Sequence, residues 1–371
     1  MQNKDKEIKV SAHMDSQQIF QFGQPQSPVT PQPLPFDASP EETLNWAIAN
    51  YLPERQWEIG IQQTPSEKII TNGLADSFVN WILAHYPEMT LFPVADSYLN
   101  YSVASMVQKL CRKNPVFWVV VGGLGWLDHQ DLISLLLGKY NLAIETDITP
   151  KFSILPTKTE YAKWSLYTQL LPSDISWTPD PGKAFAKIGI GKRYTDKQID
   201  RLYNALKKNT QKLYCWDTDK FNNLYQSQKD WQSLYQLERP DILENIAQEI
   251  NYCLQQYPKP ENLKIVISSD HGQIMGNSDK IEPYPPELEP KGRMAIGKTD
   301  EPLYVVLERE LYHLPHDISV VRNSKTFKSF SYTSKKQIIG SHGGLFPEEV
   351  VVGVSVLTEN RDEFVSHYHY F

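Results

Sequence analysis

The sequence predicts an α/β fold, a parallel sheet covered by helices on both faces, and three observations predict it. Short apolar runs recur at residues 116–121, 142–146, 211–216 and 263–268, each the length of a strand rather than a helix. Each run leads into loop chemistry or into a segment with apolar residues at three-to-four spacing, such as Ile199, Leu202 and Leu206, or Ile242, Ile246, Ile250 and Leu254. The runs themselves are nearly continuous in apolar character, as strands buried on both faces are.

Taken in order, residues 1–40 are rich in Gln, Pro and Ser and read as a tail or an extended strap, because a segment with prolines at 25, 28, 31, 33, 35 and 40 cannot hold a helix. Residues 41–113 read as a helical N-terminal region, with amphipathic spacing at 41–51, 67–85 and 103–113. The α/β domain follows over 114–358, with further strand-like runs at 302–307, 318–322 and 350–357, and residues 359–371 form a second tail.

Composition narrows the function. With 40% hydrophobic and 22% charged residues among 371, the chain can bury a sizeable core. A formal net charge of −7 argues against coating nucleic acid by phosphate neutralisation. The densest basic stretch, Arg201, Lys207, Lys208 and Lys212, reads as a solvated helix face. Three widely spaced cysteines, Cys111, Cys215 and Cys253, make neither a disulfide framework nor a zinc ribbon. No leader pattern opens the sequence, and the longest apolar run, 116–125, is about half a membrane span, so a cytoplasmic protein is expected.

In open α/β sheets ligands gather at the carboxyl ends of strands, so the residues just past each strand carry the chemistry. At 265–272, IVISSDHG delivers Asp270 and His271 into a glycine turn, one oxygen and one nitrogen ligand for a divalent cation, although read alone the dipeptide is more commonly a helix cap beside an incidental histidine. At 340–352, GSHGGLFPEEVVV flanks His342 with glycines that allow close backbone approach. At 152–161, FSILPTKTEY places Thr157 and Thr159 at a helix start, where unpaired N–H groups favour an anion and a hydroxyl can act as nucleophile or as cap. At 212–223, KLYCWDTDKFNN offers Asp217, Asp219 and Asn223 near a strand end. At 116–129, VFWVVVGGLGWLDH breaks at Gly122 and Gly123 and carries Asp128, without matching a nucleotide fingerprint.

Together and in this order, the five segments resemble the PglZ domain, a branch of the alkaline phosphatase superfamily found in phage-defence systems of the BREX and phage-growth-limitation type. The resemblance covers residues 114–357, and its most specific element is S-D-H-G followed about 70 residues later by H-G-G-x-x-x-E-E-V-V-V. It implies a three-layer α/β/α sandwich, up to two divalent metals, usually zinc, and hydrolysis of phosphate esters through a metal-bound Thr nucleophile. Carried over by motif, Thr159 is the nucleophile, Asp270 and His271 ligate one metal, and Asp219, Asn223 and His342 stand at the other.

Two departures weaken those sites. Gly122 replaces the usual first-strand Asp, and Asn223 replaces the His of the D-x-x-x-H pair. Asp128 and Asp217 are the residues that could compensate, and Lys158 and Lys163 are the nearest phosphate partners, though both also read as exposed helix-face lysines. The implied partners are a phosphoester or nucleic-acid substrate and proteins of a defence complex, with no membrane. Two functions compete: a metal-dependent phosphohydrolase of weak activity, and a degenerate PglZ-type binding or assembly subunit. A further reading gives residues 41–113 a docking role of their own.

Overall fold

The computed structural model describes residues 31–61, 68–227, 233–275, 284–291, 293–322 and 342–360, so most of both tails, with Gly340 and Ser341 of the glycine-flanked loop, lies outside them. The six-stranded main sheet contains β1 (Val116–Val121), β2 (Leu142–Phe152), β3 (Lys192–Thr195), β4 (Leu213–Thr218), β5 (Lys264–Ser268) and β10 (Val351–Glu359), in the order β2-β10-β5-β1-β4-β3. The central strand β1, VFWVVV, is buried along its whole length, and its β-branched and aromatic side chains suit a strand covered on both faces. It pairs in parallel with β4 on one side and β5 on the other, and β3 joins β4 in parallel.

The other half of the sheet differs from the sequence expectation. Strand β10 inserts antiparallel between β5 and β2, and β2 runs to Phe152 rather than stopping near 146. Its middle residues, Glu145, Thr146 and Asp147, are exposed at the sheet edge, which is why their polar sequence does not read as strand. The strand-like runs near 302 and 318 leave the main sheet. They form β8 (Tyr304–Leu307) and β9 (Ile318–Val321) of a small antiparallel sheet with β6 (Glu289–Pro290) and β7 (Met294–Ile296).

Helices cover both faces and complete the three-layer α/β/α arrangement. On one face, α1 (Trp126–Gly138), α2 (Ile199–Lys208) and α3 (Arg239–Gln256) pack on Phe117, Val119, Val121, Tyr214 and Ile265. On the other, the helices Val103–Cys111 and Thr159–Thr168 pack through Val107, Trp164 and Tyr167 on Trp118, Val120 and Val266. The alternation of side chains along β1 distributes the two sets.

The helical N-terminal residues share a core with the α/β part. Trp46, Phe78, Trp81 and Tyr86 are buried together with Phe152, Leu155, Leu345 and Val350. Residues 31–39 run along this layer with a turn at Phe36 and Asp37. Leu34 N donates to Ser77 Oγ, and Trp46 Nε1 and Trp81 Nε1 donate to Gln32 O and Ala38 O. Among the described residues no helix is long and apolar enough to cross a membrane.

Candidate active site

The carboxyl ends of β1 and β5 open toward the start of the Thr159–Thr168 helix, and the loop before β10 closes the same edge. Strand β1 breaks at Gly122, and Gly123 takes a φ of +81°, a conformation a side chain strongly disfavours. The turn points Gly123 N at Asp270 Oδ1, 3.2 Å away, and Leu124 N at Ser269 Oγ, 3.0 Å away. Asn100 Nδ2 donates to Ser269 O and Asp270 O, at 3.1 and 2.8 Å, and Ser153 Oγ donates to Asp270 O at 2.7 Å. The Asp270-His271 backbone is thus pinned by buried groups from separate elements. Gly272 then passes so close to Gly125 Cα and Glu348 O that no side chain fits there.

The hydrogen bonds fix the tautomers of both histidines. A carbonyl oxygen only accepts, so the 2.8 Å contact from His271 Nδ1 to Gly272 O places the proton on Nδ1. Its Nε2 keeps a lone pair and accepts a hydrogen bond from the Thr159 hydroxyl at 3.0 Å. His342 Nδ1 likewise donates to Thr157 O at 2.9 Å, and the two imidazoles stack with centroids 3.9 Å apart. Burial pushes the pKa of each below the ordinary histidine value. At His342 the neighbouring His271 adds to that effect, and at His271 the charge of Asp270 opposes it.

The two threonines sit in different surroundings. Thr157 is buried, accepting from Gly343 N at 3.0 Å and donating to Gly344 O at 2.9 Å, so its hydroxyl tethers the His342 loop. Thr159 is the first helical residue, partly exposed, and bonded to an imidazole. The acidic pair Glu348-Glu349 proves structural. Glu349 meets Arg293 at 3.0 and 3.3 Å and accepts from Gly344 N, while Glu348 meets Arg55 at 2.8 Å and Tyr51 at 3.1 Å.

Beside this half lies a second cluster. Lys163, 1% exposed, sits one helical turn after Thr159, with its ammonium 2.7 Å from both Asp217 Oδ1 and Asp219 Oδ1. Tyr167 OH and Arg193 complete the other Asp217 oxygen at 2.8 and 2.6 Å. Burial works against the charge of Asp217, yet Lys163 and Arg193 together hold its carboxyl below the usual range. Burial likewise opposes the Lys163 charge, but Asp217, Asp270 and Asp219 raise its pKa above the ordinary lysine value.

These donors do not fit a pair of divalent ions. Zinc takes about four protein or solvent ligands, and among the described residues no three His, Cys, Asp or Glu side chains gather as such a set. Asp270 Oδ2 is buried without a hydrogen-bond partner and lies 3.4 Å from His271 Nε2, but Gly122 adds no carboxylate to them. Asp219 and Asp217 are already spent on an ammonium, and Asn223 is exposed while its neighbour Asn222 is the buried residue, bonded to Gln273. Asp128 does not turn toward the site. It is buried against Arg239, which also holds Asp131.

No family model matches the chain, and no curated protein does. Two solved structures resemble it weakly in fold. One is murine ectonucleotide pyrophosphatase/phosphodiesterase 5, as an inactive threonine-to-alanine variant in complex with AMP, at 10% identity and a TM-score of 0.48 over 65% of this chain and 87% of that one. The other is the same murine protein without that substitution, at 11% identity and a TM-score of 0.47 over the same shares.

The site contains partners that the motifs do not announce. Lys163 is buried rather than a solvated helix-face lysine, and the signal for it is its place four residues after Thr159, on the same helical face. Lys158, the residue before the helix, is half-buried, and burial lowers its pKa. Tyr167 and Arg193 carry no sequence signal beyond their types, since the role of Arg193 depends on β3 lying beside β4 and that of Tyr167 on the Thr159–Thr168 helix packing on the sheet.

Proposed function

We propose that the chain is a PglZ-like, alkaline-phosphatase-type phosphoester hydrolase of low turnover, in which Thr159 is the nucleophile and His271 its base. The observation that carries this reading is the 3.0 Å bond from the Thr159 hydroxyl to His271 Nε2, with the proton of His271 fixed on Nδ1 by Gly272 O. A hydroxyl paired with a neutral imidazole oriented by a third group is the arrangement nucleophilic catalysis needs.

Thr159 Oγ1 attacks phosphorus as its proton passes to His271 Nε2. The Oγ–P bond forms, the bond to the leaving oxygen breaks, and the imidazolium returns the proton to that oxygen. Water then attacks the phosphothreonine, His271 takes its proton, and the threonine oxygen leaves protonated. The start of the helix after Lys158 offers unpaired N–H groups to the equatorial oxygens. The two-zinc chemistry that the resemblance implies has no part in these steps. The substrate is a phosphodiester or nucleic acid, and the setting, again from the resemblance, is a cytoplasmic phage-defence system.

The test is turnover of bis(p-nitrophenyl) phosphate by wild type and Thr159→Ala. Slow wild-type release that falls about 100-fold in the variant, the scale of losing a nucleophile and its base together, supports the reading. Equal rates for the two proteins remove hydrolysis from it. A second reading has its own observation: with Lys163 spent on Asp217 and Asp219, the site keeps its anion-facing groups while lacking metal chemistry, as a degenerate binding subunit would. AMP binding by equilibrium dialysis without turnover selects it.

A further inference from the structure

We infer that Lys163 is a resident cation, a side-chain ammonium that takes the place of a metal ion beside Asp217 and Asp219 and keeps divalent ions out of this half of the site. The inference deepens the proposed phosphoester site and rests on that reading only for the site's purpose.

Two observations of geometry carry it. Lys163 Nζ lies 2.7 Å from one oxygen of each carboxylate, so the atoms that would otherwise ligate an ion converge on one nitrogen. A Cβ built on Gly122 would stand 2.8 Å from Asp219 Oδ1 and 3.4 Å from Lys163 Nζ. The space a first-strand carboxylate would need is therefore filled by the ion pair itself. Gly122 and Lys163 act as one exchange, in which a carboxylate is removed and an ammonium is added at the same spot.

Burial makes the exchange one-sided. With Lys163 1% exposed, an incoming dication would have to displace an ammonium that has no solvent to retreat to, and would leave that charge buried and unpaired. Charge balance agrees: Lys163 and Arg193 already face Asp217, Asp219 and Asp270, leaving one net negative charge among the five groups rather than the deficit that attracts a dication. An ammonium has three hydrogens, and two are accounted for by Asp217 and Asp219. Because Lys163 is one turn from Thr159, its charge stands near the nucleophile without any bound ion.

The experiment is calorimetric titration of the full chain with zinc or manganese alone, for wild type, Lys163→Met, Gly122→Asp and the double variant. Lys163→Met should bind metal at least about 10-fold tighter than wild type, the scale of altering ligand-supporting groups, and adding Asp219→Asn should remove the gain. Gly122→Asp alone should stay within about 3-fold of wild type, because the new carboxylate pairs with the ammonium rather than with an ion. The double variant should bind tightest. Wild-type binding as tight as Lys163→Met, or no gain in a Lys163→Met protein that retains its circular dichroism, overturns the proposal. Should that variant fail to fold, a tenfold gain from Gly122→Asp alone overturns it, and the absence of that gain sustains it. Metal affinity is read without turnover, so an inactive Thr159 site would sink the hydrolase reading and leave this one standing.

Discussion

The two halves of the site stand on the same sheet edge and are built in opposite ways. Around Thr159, His271 and His342, hydrogen bonds to Gly272 O and Thr157 O consume the Nδ1 donors and leave the His271 Nε2 lone pair facing the Thr159 hydroxyl. Around Asp217, Lys163, Arg193 and Tyr167 consume both carboxylate oxygens, and Lys163 also takes one oxygen of the half-exposed Asp219. One half is poised and the other is saturated. A ligand type at a strand end is therefore no measure of a ligand: what counts is which of its atoms the fold has already used.

The comparison breaks first at Lys163. Replacing it by Met leaves Asp219 half exposed but takes a buried partner from Asp217, which retains Arg193 and Tyr167. The expected cost is about 3 kcal/mol in urea unfolding at neutral pH, the lower end for a broken buried pair, and a loss under about 0.5 kcal/mol would show that the saturated half does not hold the fold. Next comes the poised half. His271→Ala should lower turnover about 100-fold, equivalent to about 2.7 kcal/mol in the barrier, while circular dichroism is unchanged. A similar loss from Asn223→Ala would contradict the division.

Acid should act on the poised half before the saturated one. His271 and His342 have pKa values depressed by burial, and His129, buried against Ser355, is pushed down to about 3. For groups depressed on folding, the unfolded chain binds more protons below its ordinary histidine pKa of about 6.5, so stability is full above that pH and falls below it. Each such imidazole contributes about 1.4 kcal/mol per pH unit there. Urea midpoints measured from pH 7 to 5 should decline, and His129→Gln should shallow the slope. A flat profile would mean the imidazoles are charged in the folded state. The smallest effect belongs to Asn223→His, which rebuilds a D-x-x-x-H spacing on an exposed position. Stability should change by less than about 0.5 kcal/mol, as at other surface sites. Zinc affinity should stay level, since Asp219 remains paired with Lys163.

Sequence disclosed the parts of the molecule whose physics is local. Strands β1, β4 and β5 are buried on both faces, so their apolar runs stand out. Strand β3, KRYT, is a four-residue edge strand with charged side chains and gives no such signal, and β2 loses it where its edge is exposed. In the site, Asp270, His271 and His342 were readable because glycines mark where backbone must come close. The resemblance pointed to Thr159 rather than Thr157, but the physical reason was not open to sequence, because Thr157 binds Gly343 and Gly344 nearly two hundred positions later. The meaning of Lys163 was hidden for the same reason: its partners come from β4 and from the segment just beyond it.

Chain order gives the late strand a further consequence, one of timing. Strand β10 pairs Glu359 with Leu142, 217 positions earlier, and only after the segment carrying His342 has been made can it enter the sheet. At roughly 5–20 residues per second, β2 waits about 10 to 40 s of synthesis for its neighbour. For most of that interval Thr159 stands on the emerging polypeptide without the His342 loop that Thr157 tethers, and for part of it without His271. The pairing of Thr159 with His271 and the docking of the His342 loop on Thr157 therefore come late in synthesis, the second of them only as β10 joins the sheet.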